Sequence, residues 1–258
     1  MTRPVAPPWP HGWLQADWPA PARVRTLVTT RAGGTSRAPH DTMNLGSRCG
    51  DEPLAVARNR AVLRALLPAG PAWMKQVHGT RVVDVDAPVA GEPVADEPEA
   101  DAAIARSPGA VCAVLTADCL PVFLCDEAGT VVALAHAGWR GLAAGVLENT
   151  VRAMGAEPRR LLAWIGPGIA APAYEVGAGV RDAFVAAHAG DADAFRATRP
   201  GHWLADLPLL ARRRLGRLGL SRIGGDTHCT HADAARFYSF RRDGATGRMA
   251  SLIWIQPS

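Results

Sequence analysis

Hydrophobic positions along this chain fall into two kinds of run. Short stretches that are β-branched or continuously apolar, closed off by Gly, Pro or polar clusters, predict strands. They are VRTLVTT at 24–30, AVCAVLT, PVFLC, VVALAHA, LLAWIGPGI and the terminal MASLIWI. Several lack polar alternation, which predicts strands covered on both faces. Apolar residues at helical spacing predict helices in GWRGLAAGVLENTVRAMG, in VGAGVRDAFVAAHAG, and from Asp51, as N-cap with Glu52 and Pro53 in the first turn, to about Leu67. DLPLLARRRLGRLGL leaves room for one more apolar helix face. AWMKQVHGTRVVDVDA reads as a hairpin with His78 and Gly79 near its bend. The Pro- and Trp-rich residues 1–22 are predicted to drape over the surface, and the acidic GEPVADEPEA to form a surface loop. No fixed-period repeat, low-complexity tract or clear linker divides the chain. Hairpins mixed with strand–helix units predict an α+β fold with mixed sheets, in one domain at 24–258 behind an extension at 1–23.

Composition narrows the class. With 258 residues and 48% hydrophobic content, the chain can build a sizeable core. No apolar run reaches the roughly 18 residues of a membrane span, and the N-terminus lacks the apolar core of a signal peptide. The five cysteines are odd in number and scattered, so they form no disulfide framework. The expectation is a soluble, cytoplasmic protein that binds no membrane. Lys75 is the only lysine; the other basic residues are Arg, and the net charge is only +4. Arg212, Arg213, Arg214 and Arg217 form the densest basic stretch, but RNA-motif aromatics are absent around it. It reads as a solvated helix face, and no nucleic-acid partner is expected.

Three residues carry candidate chemistry because each ends or follows an apolar strand among small residues: His78 in KQVHG, Cys119 in TADCLPVFL and His136 in ALAHAGWRG. Imidazole and thiolate suit zinc, and three protein ligands with an open fourth position make a catalytic zinc site. No local spacing such as C-x-x-C joins them, and buried Cys or a lone His is usually structural. Arg140, at a helix start beside His136, would bring a cation to that strand end, and Arg31 in TTRAGG offers a second. Gly33 and Gly34 read as an ordinary turn. His228, Cys229 and His231 in THCTH sit too close together to converge easily on one ion, and Cys49, Cys112 and Cys125 read as small core or loop residues. No carboxylate stands out as acid or base; strand alternation would point Asp118 away from the face of Cys119.

KQVHG, TADCLPV, HAGWRG, IGPGI, YEVG, WLADLP and FYSFRRDGATGRMASLIWI, with TTRAGGTS and MNLG upstream, occur in an order that resembles the YfiH-like family. That family is also called laccase-domain or polyphenol-oxidase-like and is described as purine nucleoside phosphorylase; the resemblance spans about residues 24–256. It implies a four-layer α/β/β/α sandwich and metal ligands at His78, Cys119 and His136. It also implies phosphorolysis of adenosine, inosine and S-methyl-5′-thioadenosine, with adenosine deamination. Two departures from the family pattern are local: Ala173 precedes Tyr174 where a Cys is common, and histidines flank Cys229.

Zinc is the expected ion, with copper an alternative because it leads the affinity series for such ligands. Arg31 and Arg140 are the candidates for phosphate, while Lys75, Gln76 and Asn44 are expected to line the pocket. The eight histidines include no His-x-His pair, too few for the three-copper cluster and blue copper of a multicopper oxidase. Other readings are a polyphenol oxidase activity with bound copper, a hydrolase or editing enzyme for peptidoglycan precursors with Cys119 as nucleophile, and a binding module with a structural metal. The three-ligand set counts against the last, since structural zinc normally has four protein ligands.

Overall fold

The computed structural model describes residues 9–86 and 97–257. Two sheets dominate. The first runs β1 (Val24–Val28), β13 (Met249–Ile255), β5 (Val111–Thr116) and β2 (Pro71–Ala72), antiparallel except where β2 joins β5 in parallel. The second runs β12 (Arg222–Gly225), β8 (Leu161–Ile165), β6 (Leu120–Asp126), β7 (Val132–Ala137), β4 (Ala102–Ala105) and β3 (Val82–Asp84), with parallel pairs only at its two edges. A small antiparallel sheet of β10 (Phe195–Arg199), β11 (His202–Ala205) and β9 (Glu175–Gly177) lies apart. The helices are α1 (Pro53–Arg64), α2 (Trp139–Ala144), α3 (Val146–Met154), α4 (Ala178–Val185), α5 (Leu207–Arg217) and α6 (Phe240–Asp243).

Every residue of β6 and β13 is buried, which is why their sequences run apolar without alternation. The two large sheets pack face to face, with Cys112, Val114 and Ile253 of one against Phe123, Leu134 and Leu162 of the other. Phe123 is fully buried there and meets Trp164 edge-on at 5.2 Å; burying such a ring contributes about 1.5–3 kcal/mol. On the outer face of the six-stranded sheet, Leu142 of α2, Leu147 and Val151 of α3, and Leu210 and Leu215 of α5 cover Val122, Ala133 and Ile165. Leu63 of α1 covers Leu27, Leu252 and Trp254 on the outer face of the other sheet. Helix, sheet, sheet, helix is the four-layer order expected, within an α+β fold.

Several local expectations give way. The helix expected after His136 breaks into α2 and α3 because Gly145 adopts φ 102°, a left-handed conformation that glycine takes at little cost. The expected hairpin around His78 does not form: β2 and β3 belong to different sheets, and the segment between them crosses from one to the other. The Pro- and Trp-rich N-terminal stretch does not simply drape over the surface. Trp13, Ala16, Trp18 and Ala20 are buried, and Leu14 bridges Val28. The acidic loop at 91–100 falls mostly outside the described residues. Glu52 rather than Asp51 flanks α1. The Asp51 carboxylate instead accepts hydrogen bonds from Ser36 Oγ at 2.6 Å and Asn44 Nδ2 at 2.9 Å.

Candidate functional site

Two of the chain's crossings between the two large sheets each carry one of the singled-out side chains. His78 lies between β2 and β3, and Cys119 lies in the turn between β5 and β6. The third, His136, stands near the end of β7 opposite Pro121 of β6, so antiparallel pairing brings it beside the start of β6 and hence beside Cys119. The three side chains form a His-Cys-His metal-binding group whose ligand atoms all lie within 4.8 Å of one another. Cys119 Sγ is 3.7 Å from His78 Nε2, and the two imidazole rings meet edge-on at 4.8 Å between centroids. His136 is buried, Cys119 half-buried and His78 exposed, so the group opens to one side. Among the described residues no other group of three or more such side chains gathers in this way, including His228, Cys229 and His231.

Glycine is required next door. A Cβ on Gly138 would stand 2.6 Å from His78 Cδ2 and 2.9 Å from Cys119 Sγ, and one on Gly141 would stand 2.8 Å from the Gly79 carbonyl. The HAGWRG motif therefore lets α2 close down on the His78 loop.

A residue that sequence reasoning missed organises the whole group. Asp101, fully buried just before β4, accepts hydrogen bonds from the N–H groups of Val77 at 3.1 Å, His78 at 2.9 Å and Gly79 at 2.6 Å, and from His136 Nδ1 at 2.8 Å. One carboxylate thus fixes both histidines. It holds His78 in a left-handed conformation, φ 59°, that non-glycine residues seldom adopt, and leaves His136 Nε2 to face the cluster. Burial would raise the Asp101 carboxyl, but the hydrogen bond and charge of His136, with the Gly79 and Val77 N–H groups, hold it below the usual carboxylate range. The only sequence signal was an Asp directly ahead of the small apolar run AAIA.

Burial would also push the Cys119 thiol up, yet the charge and hydrogen bond of His136, joined by His78, pull it down to about 6. Conversely, burial would lower His136, and the Cys119 thiolate and Asp101 raise it to about 9. Without metal, the pair is held as thiolate and imidazolium near neutral pH.

The group opens into a cavity of about 510 Å³, whose walls include Trp139, Arg140, Ile169, Tyr174, Phe240 and Arg241 as well as Met74, Leu115, Arg48 and Arg248. Of the substrate-contact candidates, Arg140 and Gln76 line this cavity. Gln76 is engaged by the Leu115 backbone at both ends of its amide. The structure does not bring Arg31, Asn44 or Lys75 into the lining. Arg31 pairs with Asp41 at 3.2 Å and stacks on Tyr238. Asn44 is buried in bonds to Gly46 and Asp51, and Lys75 pairs with Glu99 at 3.3 Å. Asp118 lines the cavity although strand alternation pointed it away, because it sits in the turn at φ 96°. Its carboxylate accepts from Thr230 Oγ1 at 2.6 Å and the Arg241 N–H at 2.7 Å.

The basic stretch on α5 is neutralised by the chain itself: Arg212 pairs with Asp226, Arg213 with Asp193, Arg214 with Glu148 and Arg217 with Asp191. No helix among the described residues is long and apolar enough to cross a membrane.

A family model described as multi-copper polyphenol oxidoreductase laccase matches residues 25–256. A purine nucleoside phosphorylase of Pseudomonas aeruginosa is 52% identical over 247 residues, covering 95% of this chain and 99% of that protein. The purine nucleoside phosphorylase YfiH of Escherichia coli is 49% identical over 241 residues, covering 93% and 97%. Among solved structures, a Neisseria meningitidis protein of the DUF152 family superposes with TM-score 0.89 at 50% identity, covering 95% of this chain and 99% of that one. The Bacillus licheniformis protein YfiH gives TM-score 0.83 at 28% identity, covering 91% and 93%.

Proposed function

This chain belongs to the multi-copper polyphenol oxidoreductase laccase family, and we propose that within it the protein is a purine nucleoside phosphorylase acting on adenosine, inosine and S-methyl-5′-thioadenosine. The observation that carries this reading is the cavity itself, which joins a three-ligand metal group to Arg140 and Arg241, two arginines without carboxylate partners among the described residues, in one space large enough for a nucleoside and phosphate. The names of the relatives support the same activity.

The donor set fits a divalent ion. Tetrahedral zinc with Zn–S near 2.3 Å and Zn–N near 2.05 Å places S and N about 3.6 Å apart, and Cys119 Sγ and His78 Nε2 stand at 3.7 Å. Zinc is the proposed ion, held by His78, Cys119 and His136, with copper the competitor. When bound, it would supply positive charge and Lewis acidity at an open fourth position. Asp101 keeps a proton on His136 Nδ1 and thereby keeps Nε2 free to ligate.

In phosphorolysis a phosphate oxygen forms a bond to ribose C1′ as the C1′–N9 bond breaks. The electron pair of the broken bond goes to the purine, which takes a proton from phosphate or water, and ribose 1-phosphate forms. The chain's own contribution is to gather the reactants and exclude bulk water. Tyr174 stays a neutral hydrogen-bond donor at neutral pH, since burial and the Cys119 charge push its hydroxyl up to about 12. Adenosine deamination at the same group is the proposed side activity.

A second reading rests on the Cys119 thiolate beside two imidazoles, an arrangement that also suits a cysteine-dependent hydrolase of cell-wall precursors. Zinc reconstitution separates the two. The phosphorylase reading expects turnover of inosine to rise with zinc occupancy and to vanish in Cys119→Ala. Turnover that is full in metal-stripped protein would refute the role given to the metal group.

A further inference from the structure

We infer that Arg140 and Arg241 form the phosphate seat, at the His78–Cys119–His136 end of the cavity, with Tyr174 as a third donor. The inference rests on the phosphorylase reading and specifies where its second substrate sits.

Four arginines line the cavity, and their partners distinguish them. Arg48 pairs with Glu97 at 3.3 Å, and that carboxylate also pairs with Arg60 at 3.1 Å. Arg248 lies against Gly46, where an added Cβ would stand 2.8 Å from its Cγ, and its Nη1 donates to the Thr246 and Gly247 carbonyls. Arg140 and Arg241 have no carboxylate partner among the described residues. Arg140 stacks on Trp139 at 4.5 Å, and Arg241 stacks on Tyr174 at 5.0 Å. Arg241 is further fixed through its backbone N–H to Asp118 Oδ2 at 2.7 Å and through Nη1 to the Glu175 carbonyl at 2.8 Å.

A guanidinium stacked on a ring keeps its N–H groups in plane and open at the edge; in Arg241 the Glu175 carbonyl takes Nη1, which leaves Nε and Nη2 without a partner among the described residues. Two such edges in one cavity suit the bidentate recognition of a phosphate. Arg241 stacks on Tyr174, and Arg140, Tyr174 and Arg241 line one cavity together with Cys119 and His136. The Tyr174 hydroxyl has no hydrogen-bond partner among the described residues. Asp118 does not cancel the charge of Arg241, since its carboxylate meets the backbone N–H rather than the guanidinium. The remaining lining, which includes Met74, Leu115 and Arg248, is left to the nucleoside.

The test uses the zinc-loaded protein in two measurements. In steady-state kinetics with inosine, Arg241→Met and Arg140→Met each raise the phosphate KM by about tenfold or more and move the inosine KM less than about threefold. Arg31→Met, outside the lining, leaves both constants unchanged. Tyr174→Phe raises the phosphate KM by about threefold. Calorimetric titration of inorganic phosphate provides a readout independent of turnover, with the same ranking of affinities. Phosphate constants within about twofold of wild type in both arginine variants would overturn the seat, as would an equal rise in the inosine KM. If the wild type binds phosphate, and the arginine variants lose that binding, while no nucleoside turns over, the seat stands and the phosphorylase reading fails. A wild type that binds no phosphate and turns over no nucleoside refutes both.

Discussion

Replacing Asp101 by Asn isolates the group on which the whole metal cluster hangs. Oδ1 accepts from the His78 N–H and from His136 Nδ1, and Oδ2 accepts from the Val77 and Gly79 N–H groups. An amide keeps one oxygen and turns the other into a donor. In either orientation, two N–H groups of the protein then face an NH₂ group. Two lost charge-assisted hydrogen bonds at about 1.5–3 kcal/mol each put the stability loss at about 3 kcal/mol or more. At about 2–4 °C per kcal/mol for a chain of this size, the melting temperature falls by roughly 6 °C or more. The metal is affected separately. If the NH₂ group takes the Oδ1 position, His136 must present Nδ1 as an acceptor, which moves its proton to Nε2 and blocks the ligating nitrogen. Loss of such an outer partner typically weakens metal binding about 10–100-fold. Competition with a chromophoric chelator measures that affinity, and thermal melts of the metal-free protein measure the first effect. Zinc affinity within about twofold of wild type in Asp101→Ala as well as in Asp101→Asn, despite a lowered melting temperature, would refute the claim that Asp101 orients His136.

Other outcomes follow from the same geometry. Gly138→Ala places a methyl 2.6 Å from His78 Cδ2 and 2.9 Å from Cys119 Sγ; the fold should survive and zinc affinity, read by the same competition, should drop about tenfold or more. In metal-stripped protein, iodoacetamide alkylation of Cys119 should fall off only as pH drops through about 6, because the thiolate persists above its lowered pKa. Alkylation that instead rises toward pH 9 would count against the thiolate–imidazolium pair. Phe123→Ala, between the two sheets, should cost about 3–5 kcal/mol in denaturant melts without altering zinc stoichiometry in the folded protein.

That the central strands are covered on both faces was legible, because they run apolar without alternation; the four-layer order itself came only from the family resemblance. Metal chemistry was legible in type, since imidazole and thiolate among small residues at strand ends are few in this chain. Convergence was not, because His78 and Cys119 are brought together by two crossings between sheets, and His136 by the pairing of β6 with β7, none of which leaves a local spacing. His78 was misread as a hairpin bend for a related reason: its left-handed backbone resembles a turn, yet the strands on either side belong to different sheets. Asp101 escaped notice as one more acid beside an acidic, Pro-rich stretch, and only its burial sets it apart. Arg31 and Lys75 attracted attention as cations, but ion pairs with Asp41 and Glu99 keep them out of the cavity. Arg241 lay inside a motif whose length hid which of its arginines faces the site.

Product analysis by liquid chromatography tests the central claim most directly, with zinc-loaded protein and adenosine in the presence and absence of phosphate. The account expects adenine and ribose 1-phosphate to form only with phosphate, and both to be lost in Cys119→Ala. Absence of adenine and ribose 1-phosphate from the zinc-loaded wild type in the presence of phosphate would contradict it.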